Sequence, residues 1–154
     1  MKICGLLKED HIFLSLRPGD KRQVLEEFVV AAKKRDLISD DELVLDELLK
    51  RESLGSTGLE KGIAIPHALL DEVKEPFLAL AVFKKGIDFE AVDQMPTYVL
   101  ILLLGSKNNP GAQLKILAHV CRLVKQTNFV EQIKKIEDPG DICVLLEEEE
   151  GKIV

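Results

Sequence analysis

Two hydrophobic periods alternate along the chain. Val24, Leu25, Phe28, Val29 and Ala32 fall on one stripe, and that spacing predicts an amphipathic helix from about Lys21 to Arg35. Arg17-Pro18-Gly19-Asp20 ahead of it is a turn whose Asp20 supplies the helix cap. Leu43, Val44 and Leu48 predict a second helix that starts at Ser39 or Asp40 and reaches about Arg51, with Glu42 completing a capping box from Ser39. Asn108-Asn109-Pro110-Gly111 is a turn before a third helix carrying Leu114, Ile116, Leu117, Val120, Cys121 and Val124. Thr127 caps a short helix with Val130, Ile133 and Ile136 inside, and Asp138-Pro139 opens a last one from Gly140 to about Glu147.

Between these stripes lie runs of strand length. His11 to Leu16 reads as a short strand, and Ile63-Ala64-Ile65 as another, stopped by Pro66. Phe77 to Phe83 and Thr97 to Leu104 are continuously apolar, as befits strands covered on both faces. The pattern predicts one α/β domain over residues 1–154: a mixed central sheet of about five strands with helices on both faces.

Composition narrows the function classes. Apolar residues make up 46% and charged residues 31%, the balance of a globular chain rather than a disordered one. The formal net charge is −6 and no large basic block exists, which argues against a nucleic-acid partner. No apolar run approaches the roughly 20 residues a membrane-spanning helix needs, and the N-terminal segment lacks the apolar stretch of a signal peptide. Cys4, Cys121 and Cys143 are odd in number and widely spaced, which fits a reducing, cytoplasmic setting better than a disulfide framework. They read as small core hydrophobes, and no Cys/His spacing suits a metal. His11 and His119 read as structural residues, and Glu147 to Glu150 as a solvated acidic tail.

Candidate chemistry concentrates between Arg51 and Ala68. The order is Arg51-Glu52, a loop Gly55-Ser56-Thr57-Gly58, then Gly62-Ile63-Ala64-Ile65-Pro66-His67. A neutral imidazole is a good nucleophile toward phosphorus near pH 7, and the N–P bond it forms is labile enough to pass the group on. Pro66 fixes the backbone ahead of His67 and places the ring at a strand edge. Gly55 lets backbone amides approach phosphate oxygens, the hydroxyls of Ser56 and Thr57 can donate to them, and Arg51 offers a planar fork matched to phosphate. Taken singly, the same residues have plain structural readings: a histidine after a strand, an arginine at a helix end and two turn hydroxyls. Their joint order is what points to chemistry.

This stretch resembles the active-site signature of the fructose/mannitol-type enzyme IIA domains of the bacterial phosphoenolpyruvate-dependent sugar phosphotransferase system. The likeness extends over nearly the whole chain. It implies a phosphohistidine at His67, with Arg51 on the phosphate side. It also implies a histidine-containing phosphocarrier protein as donor and an enzyme IIB as acceptor, with no cofactor and no direct membrane insertion. Such domains commonly carry a second histidine at the head of a helix, where Gln113 stands here in Gln113-Leu114-Lys115-Ile116-Leu117. Glutamine can bond a phosphate or orient His67, but it carries no titratable proton. Two readings follow: a phosphocarrier, with an apolar docking face around Ile65 and Ala68, or a regulatory module acting by protein binding, its transfer weakened by Gln113. A third reading is an anion-binding α/β domain without phosphoryl chemistry.

Overall fold

The computed structural model describes residues 2–153. Five strands form one sheet: β1 (Ile12–Phe13), β2 (Ile63–Ala64), β3 (His67–Leu70), β4 (Phe77–Ile87) and β5 (Thr97–Ser106). β4 and β5 are antiparallel and central, both long apolar runs as their sequences predict. β1 lies parallel to the outer side of β4, and β2 and β3 lie parallel to the free side of β5. The sheet is therefore mixed.

Helices cover both faces. α1 (Lys21–Lys34) and α2 (Asp41–Ser53) pack on one side through Val24, Leu25, Phe28, Val44 and Leu48, against Ala79, Ala81, Leu100 and Leu102. α3 (Pro110–Gln126), α4 (Phe129–Ile133) and α5 (Pro139–Glu150) cover the other through Ile116, Val120, Phe129 and Ile142, against Leu78, Leu80, Ile101 and Leu103. Period-2 alternation in β4 and β5 sends neighbouring residues to opposite cores, which is why both strands read as unbroken apolar runs.

Several local expectations are corrected. The first strand is only two residues long. His11 instead ends a 3-10 turn and donates from Nδ1 to the Leu78 carbonyl, while Arg35 takes the Ile12 carbonyl at 2.8 Å. Asp40, not Ser39, caps α2 by accepting from Leu43 N, because an ionised carboxylate meets the helix dipole better than a hydroxyl. Thr127 closes α3, though its Oγ1 still accepts from Phe129 N, and α4 stops at Ile133, leaving Ile136 outside. β2 ends at Ala64, ahead of Pro66 as expected, but β3 resumes at His67 on the same side of β5. Ile63 pairs with Val99 and His67 with Leu103, so the register is the same on both sides of the proline, and Pro66 still accepts from Leu103 N. A proline is tolerated there because the strand is at the sheet edge. The three cysteines are free thiols at partly buried positions.

The acidic tail is also corrected. α5 runs on to Glu150, and Glu149 and Glu150 are 2% and 3% exposed. Glu150 accepts from Ile3 N at 2.6 Å, from Cys4 N at 2.8 Å and from His119 Nε2 on α3. One carboxylate thus ties the N-terminal segment to the last helix and to α3. Burial alone would raise its pKa, but the hydrogen bonds from Ile3, His119 and Cys4 outweigh burial and hold the group below the usual carboxylate value. A folded-state pKa below the unfolded one stabilises at neutral pH, and that stability is lost as pH falls through the folded value. Glu150→Ala should cost about 3 kcal/mol at pH 7, because it strands two buried backbone donors and His119. In urea titrations the gap between variant and wild type should close as pH falls into the acid range; a gap independent of pH would refute this role.

Candidate functional site

His67 opens β3 on the free edge of the sheet, half-buried, on the face covered by α3. Strand alternation decides this: Ile63, Ile65, His67 and Leu69 share one side, and Ala64, Ala68 and Leu70 share the other. The ring sits between the C-terminal half of α2 and the N-terminal end of α3. The cavity of about 560 Å³ at this place is lined by Arg51 and Leu54 from the α2 end, His67 and Leu69 from β3, and Lys107, Gln113 and Leu114 beside or on α3.

Two hydrogen bonds define the state of the ring. Nδ1 lies 2.7 Å from the Ile65 carbonyl oxygen, which can only accept, so Nδ1 carries the proton. Arg51 Nε lies 3.3 Å from Nε2 and can only donate, so Nε2 presents its lone pair. Desolvation lowers the His67 pKa most. The Ile65 carbonyl pulls it up, Arg51 pushes it down further, Glu52 raises it, and the net direction is below the ordinary 6.5. The ring is neutral at pH 7, with its nucleophilic nitrogen facing a guanidinium.

Arg51 lies in the last turn of α2. Its Nη1 donates to the Gly55 carbonyl at 2.9 Å, which fixes one arm of the fork while Nε addresses the ring. Gly55 has φ of 146°, a conformation that favours glycine, and this turns the loop back toward the arginine. Gln113 is buried, and its Oε1 has no hydrogen-bond partner among the described residues. It fits because Gly105 has no side chain: a Cβ there would stand 2.2 Å from Oε1. A buried amide oxygen without a partner is costly, and here it belongs to a side chain lining the His67 cavity.

Ser56 and Thr57 lie in the same loop but aim elsewhere. Ser56 Oγ donates to the Phe89 carbonyl at 2.9 Å and accepts from Lys21 Nζ and Gly58 N. Thr57 is 4% exposed, with Oγ1 donating to Glu52. Neither hydroxyl lines the His67 cavity. Ile65 and Ala68, expected on a docking face, are 2% and 7% exposed, because their side chains turn into the two cores. The apolar surface around the ring comes instead from Leu54 and Leu114, 84% and 67% exposed. A leucine left exposed at a helix end next to a Gly/Ser/Thr loop was the available sequence signal. Lys107 was also missed; it lines the cavity and pairs with Asp71 at 3.5 Å. His119 stays on the far part of α3 with Glu150, a structural residue. Among the described residues no cluster of His, Cys, Asp or Glu could hold a metal ion, and no helix is long and apolar enough to cross a membrane.

Residues 5–149 match the family described as "Phosphoenolpyruvate-dependent sugar phosphotransferase system, EIIA 2". A nitrogen regulatory protein of Bradyrhizobium diazoefficiens is 33% identical over 147 residues, covering 95% of each chain. The fructose-specific EIIABC component of Bacillus subtilis is 29% identical over 146 residues; the match covers 95% of this chain but only 23% of that longer protein. The crystal structure of the nitrogen regulatory protein IIA-Ntr from Neisseria meningitidis superposes with a TM-score of 0.84 at 28% identity, covering 94% of this chain and 98% of that one.

Nitrogen-15 NMR of the free protein checks the ring directly. His67 should titrate below 6.5 as the Nδ1–H tautomer, and Arg51→Ala should move its midpoint upward, since the guanidinium lowers it. A dominant Nε2–H tautomer at pH 7 would contradict the geometry.

Proposed function

The chain belongs to the EIIA 2 family of the phosphoenolpyruvate-dependent sugar phosphotransferase system, and on that premise we propose that His67 carries a phosphoryl group from one protein to another. The observation that carries this reading is the Nε2 lone pair, held open by the Nδ1–H bond to Ile65 and faced by Arg51. Nε2 attacks the phosphorus of the donor, a histidine-containing phosphocarrier protein. A bond forms from Nε2 to phosphorus, and the donor's N–P bond breaks with its electron pair returning to the donor ring. His67 Nδ1 keeps its proton throughout, so the product is a phosphorylated imidazolium whose charge the Ile65 carbonyl supports. That positive ring is a good leaving group, and it keeps the second step open. There the acceptor nucleophile of an enzyme IIB takes the phosphorus, and the N–P electrons return to Nε2.

Arg51 has two parts to play in this scheme. In the free protein its Nε–H meets the lone pair, and once a phosphoryl group is joined to Nε2 the same donor, still held through Nη1, stands beside a phosphoryl oxygen, where charge builds up. Gln113 provides an amide in the same cavity for another oxygen, in place of a second histidine. Gly55 holds the arginine through its carbonyl, while the loop amides of Leu54, Gly55, Thr57 and Gly58 are already bonded to Arg51, Glu52 and Ser56. Ser56 and Thr57 support the loop from within. Leu54 and Leu114 flank the ring as an apolar rim on which donor and acceptor would dock in turn. No cofactor enters this scheme. Its setting is the cytoplasm, in keeping with three unpaired thiols, and the whole chain acts as one enzyme IIA domain.

A second reading is a regulatory module whose output is protein binding, with transfer weakened at Gln113. It is favoured by the regulatory protein matched over 95% of both chains. Phosphorylation of His67 serves both readings.

Incubation with phosphoenolpyruvate and the donor proteins should label the chain, and His67→Ala should abolish the label. Arg51→Ala should slow transfer to enzyme IIB about a hundredfold, and Gln113→Ala about tenfold. Full labelling of the His67→Ala chain would end the phosphocarrier reading. Labelling without any onward transfer to enzyme IIB would favour the regulatory one.

A further inference from the structure

The phosphocarrier reading needs Arg51 at a fixed place, yet Arg51 sits at a helix end, where helices fray. What holds that end is the residue after it. The Glu52 side chain is 5% exposed. It accepts from Thr57 N at 3.0 Å, from Thr57 Oγ1 and from Lys21 Nζ at 2.8 Å. Lys21, itself only 12% exposed, also bonds Ser56 Oγ at 3.1 Å, pairs with Glu90 at 3.1 Å and lies over the Phe89 ring. The first turn of α1, the last turn of α2, the loop from 54 to 58 and the segment around Phe89 are thereby one network.

This network fixes the oxygen that Arg51 uses. Gly55 lies between Glu52 and Thr57, the two ends of the clasp, and its carbonyl receives Arg51 Nη1–H. Because a guanidinium is planar and rigid, holding Nη1 also sets the direction of Nε–H, which meets His67 Nε2. Buried ionic networks are weak sources of stability compared with well-packed apolar groups of the same volume. A network of this kind, placed one residue from the guanidinium that faces the nucleophile, is better accounted for by the geometry it imposes.

We infer that Glu52 and Thr57 are positioning residues for phosphoryl transfer, acting through Arg51: their clasp, braced by Lys21, holds the Gly55 carbonyl that aims the guanidinium at His67. The inference rests on the phosphocarrier reading for its kinetic consequence, but its geometric consequence can be measured without any transfer.

The test uses the full chain with Thr57→Val, Thr57→Ser and Glu52→Gln, each also made on an Arg51→Ala background. Thr57→Val removes the hydroxyl donor and should release Arg51. The His67 midpoint by NMR should then move upward toward that of Arg51→Ala, and transfer to enzyme IIB should fall about tenfold. Thr57→Ser should restore both to within about twofold of wild type. On the Arg51→Ala background, Thr57→Val and Glu52→Gln should have no further effect on transfer, as two residues acting through one side chain require. An unchanged His67 midpoint in Thr57→Val overturns the inference, as does an equal loss of transfer with and without Arg51. Should Thr57→Val fail to fold, the Glu52→Gln cycle decides by the same transfer criterion. A chain that accepts no phosphoryl group at all refutes the functional reading instead, while the His67 titration still reports on the clasp.

Discussion

The hydrogen bond from His67 Nδ1 to the Ile65 carbonyl is the constraint on which the rest of the site depends. It spans only two residues, and it exists because Pro66 stands between them on an edge strand whose register does not break. Proline fixes its own backbone angle and donates nothing to the ladder, so the chain passes through this point with the ring folded back on the preceding carbonyl. The bond decides which nitrogen keeps the proton. It therefore decides which nitrogen presents its lone pair, and under the proposed function it would support the positive charge of a phosphorylated ring.

Around that bond the molecule divides its work. The sheet and its two cores supply a rigid floor: β5 is buried almost throughout, and His67 is fixed to it through the pairing with Leu103. Arg51 and Gln113 are brought to the ring from opposite sides by the end of one helix and the start of another. Each is accommodated by a glycine: Gly55 offers the carbonyl that holds Arg51, and Gly105 leaves the space that Gln113 fills. Far from the ring, Glu150 joins both ends of the described chain to His119 on α3, the same helix that carries Gln113. The helix that borders the site is thus anchored at its middle by a charge buried in the opposite part of the fold.

Much of this was legible in the sequence, and the reasons differ by element. The long apolar runs at Phe77 and Thr97 could only be strands covered on both faces, and the stripes of α1 and α3 could only be helices packed on them. Arg51, Gly55 and His67, suggested by their order along the chain, do meet in space: the Arg51–Gly55 bond is local, and the packing of the α2 end on β3 brings the pair to the ring. What could not be read depends on distant partners. Glu149 and Glu150 look like a solvated tail until Ile3, Cys4 and His119 arrive from elsewhere to satisfy the carboxylate. The hydroxyls of Ser56 and Thr57 look like phosphate donors until their partners are seen: Lys21 and Phe89, both remote in sequence, hold Ser56, and Glu52, five residues back, takes the Thr57 hydroxyl. Ile65 and Ala68 look like surface because they flank the histidine, but strand alternation buries them, and Leu54 and Leu114 take the surface instead.

The central claim is that one ring nitrogen is reserved for the proton and the other for phosphorus. Phosphorus-31/nitrogen-15 correlation NMR on the phosphorylated chain measures this directly. Phosphorus should be bonded to Nε2 of His67, with the proton retained on Nδ1. Phosphorus found on Nδ1 would contradict it, because the Ile65 carbonyl occupies the place the phosphoryl group would need.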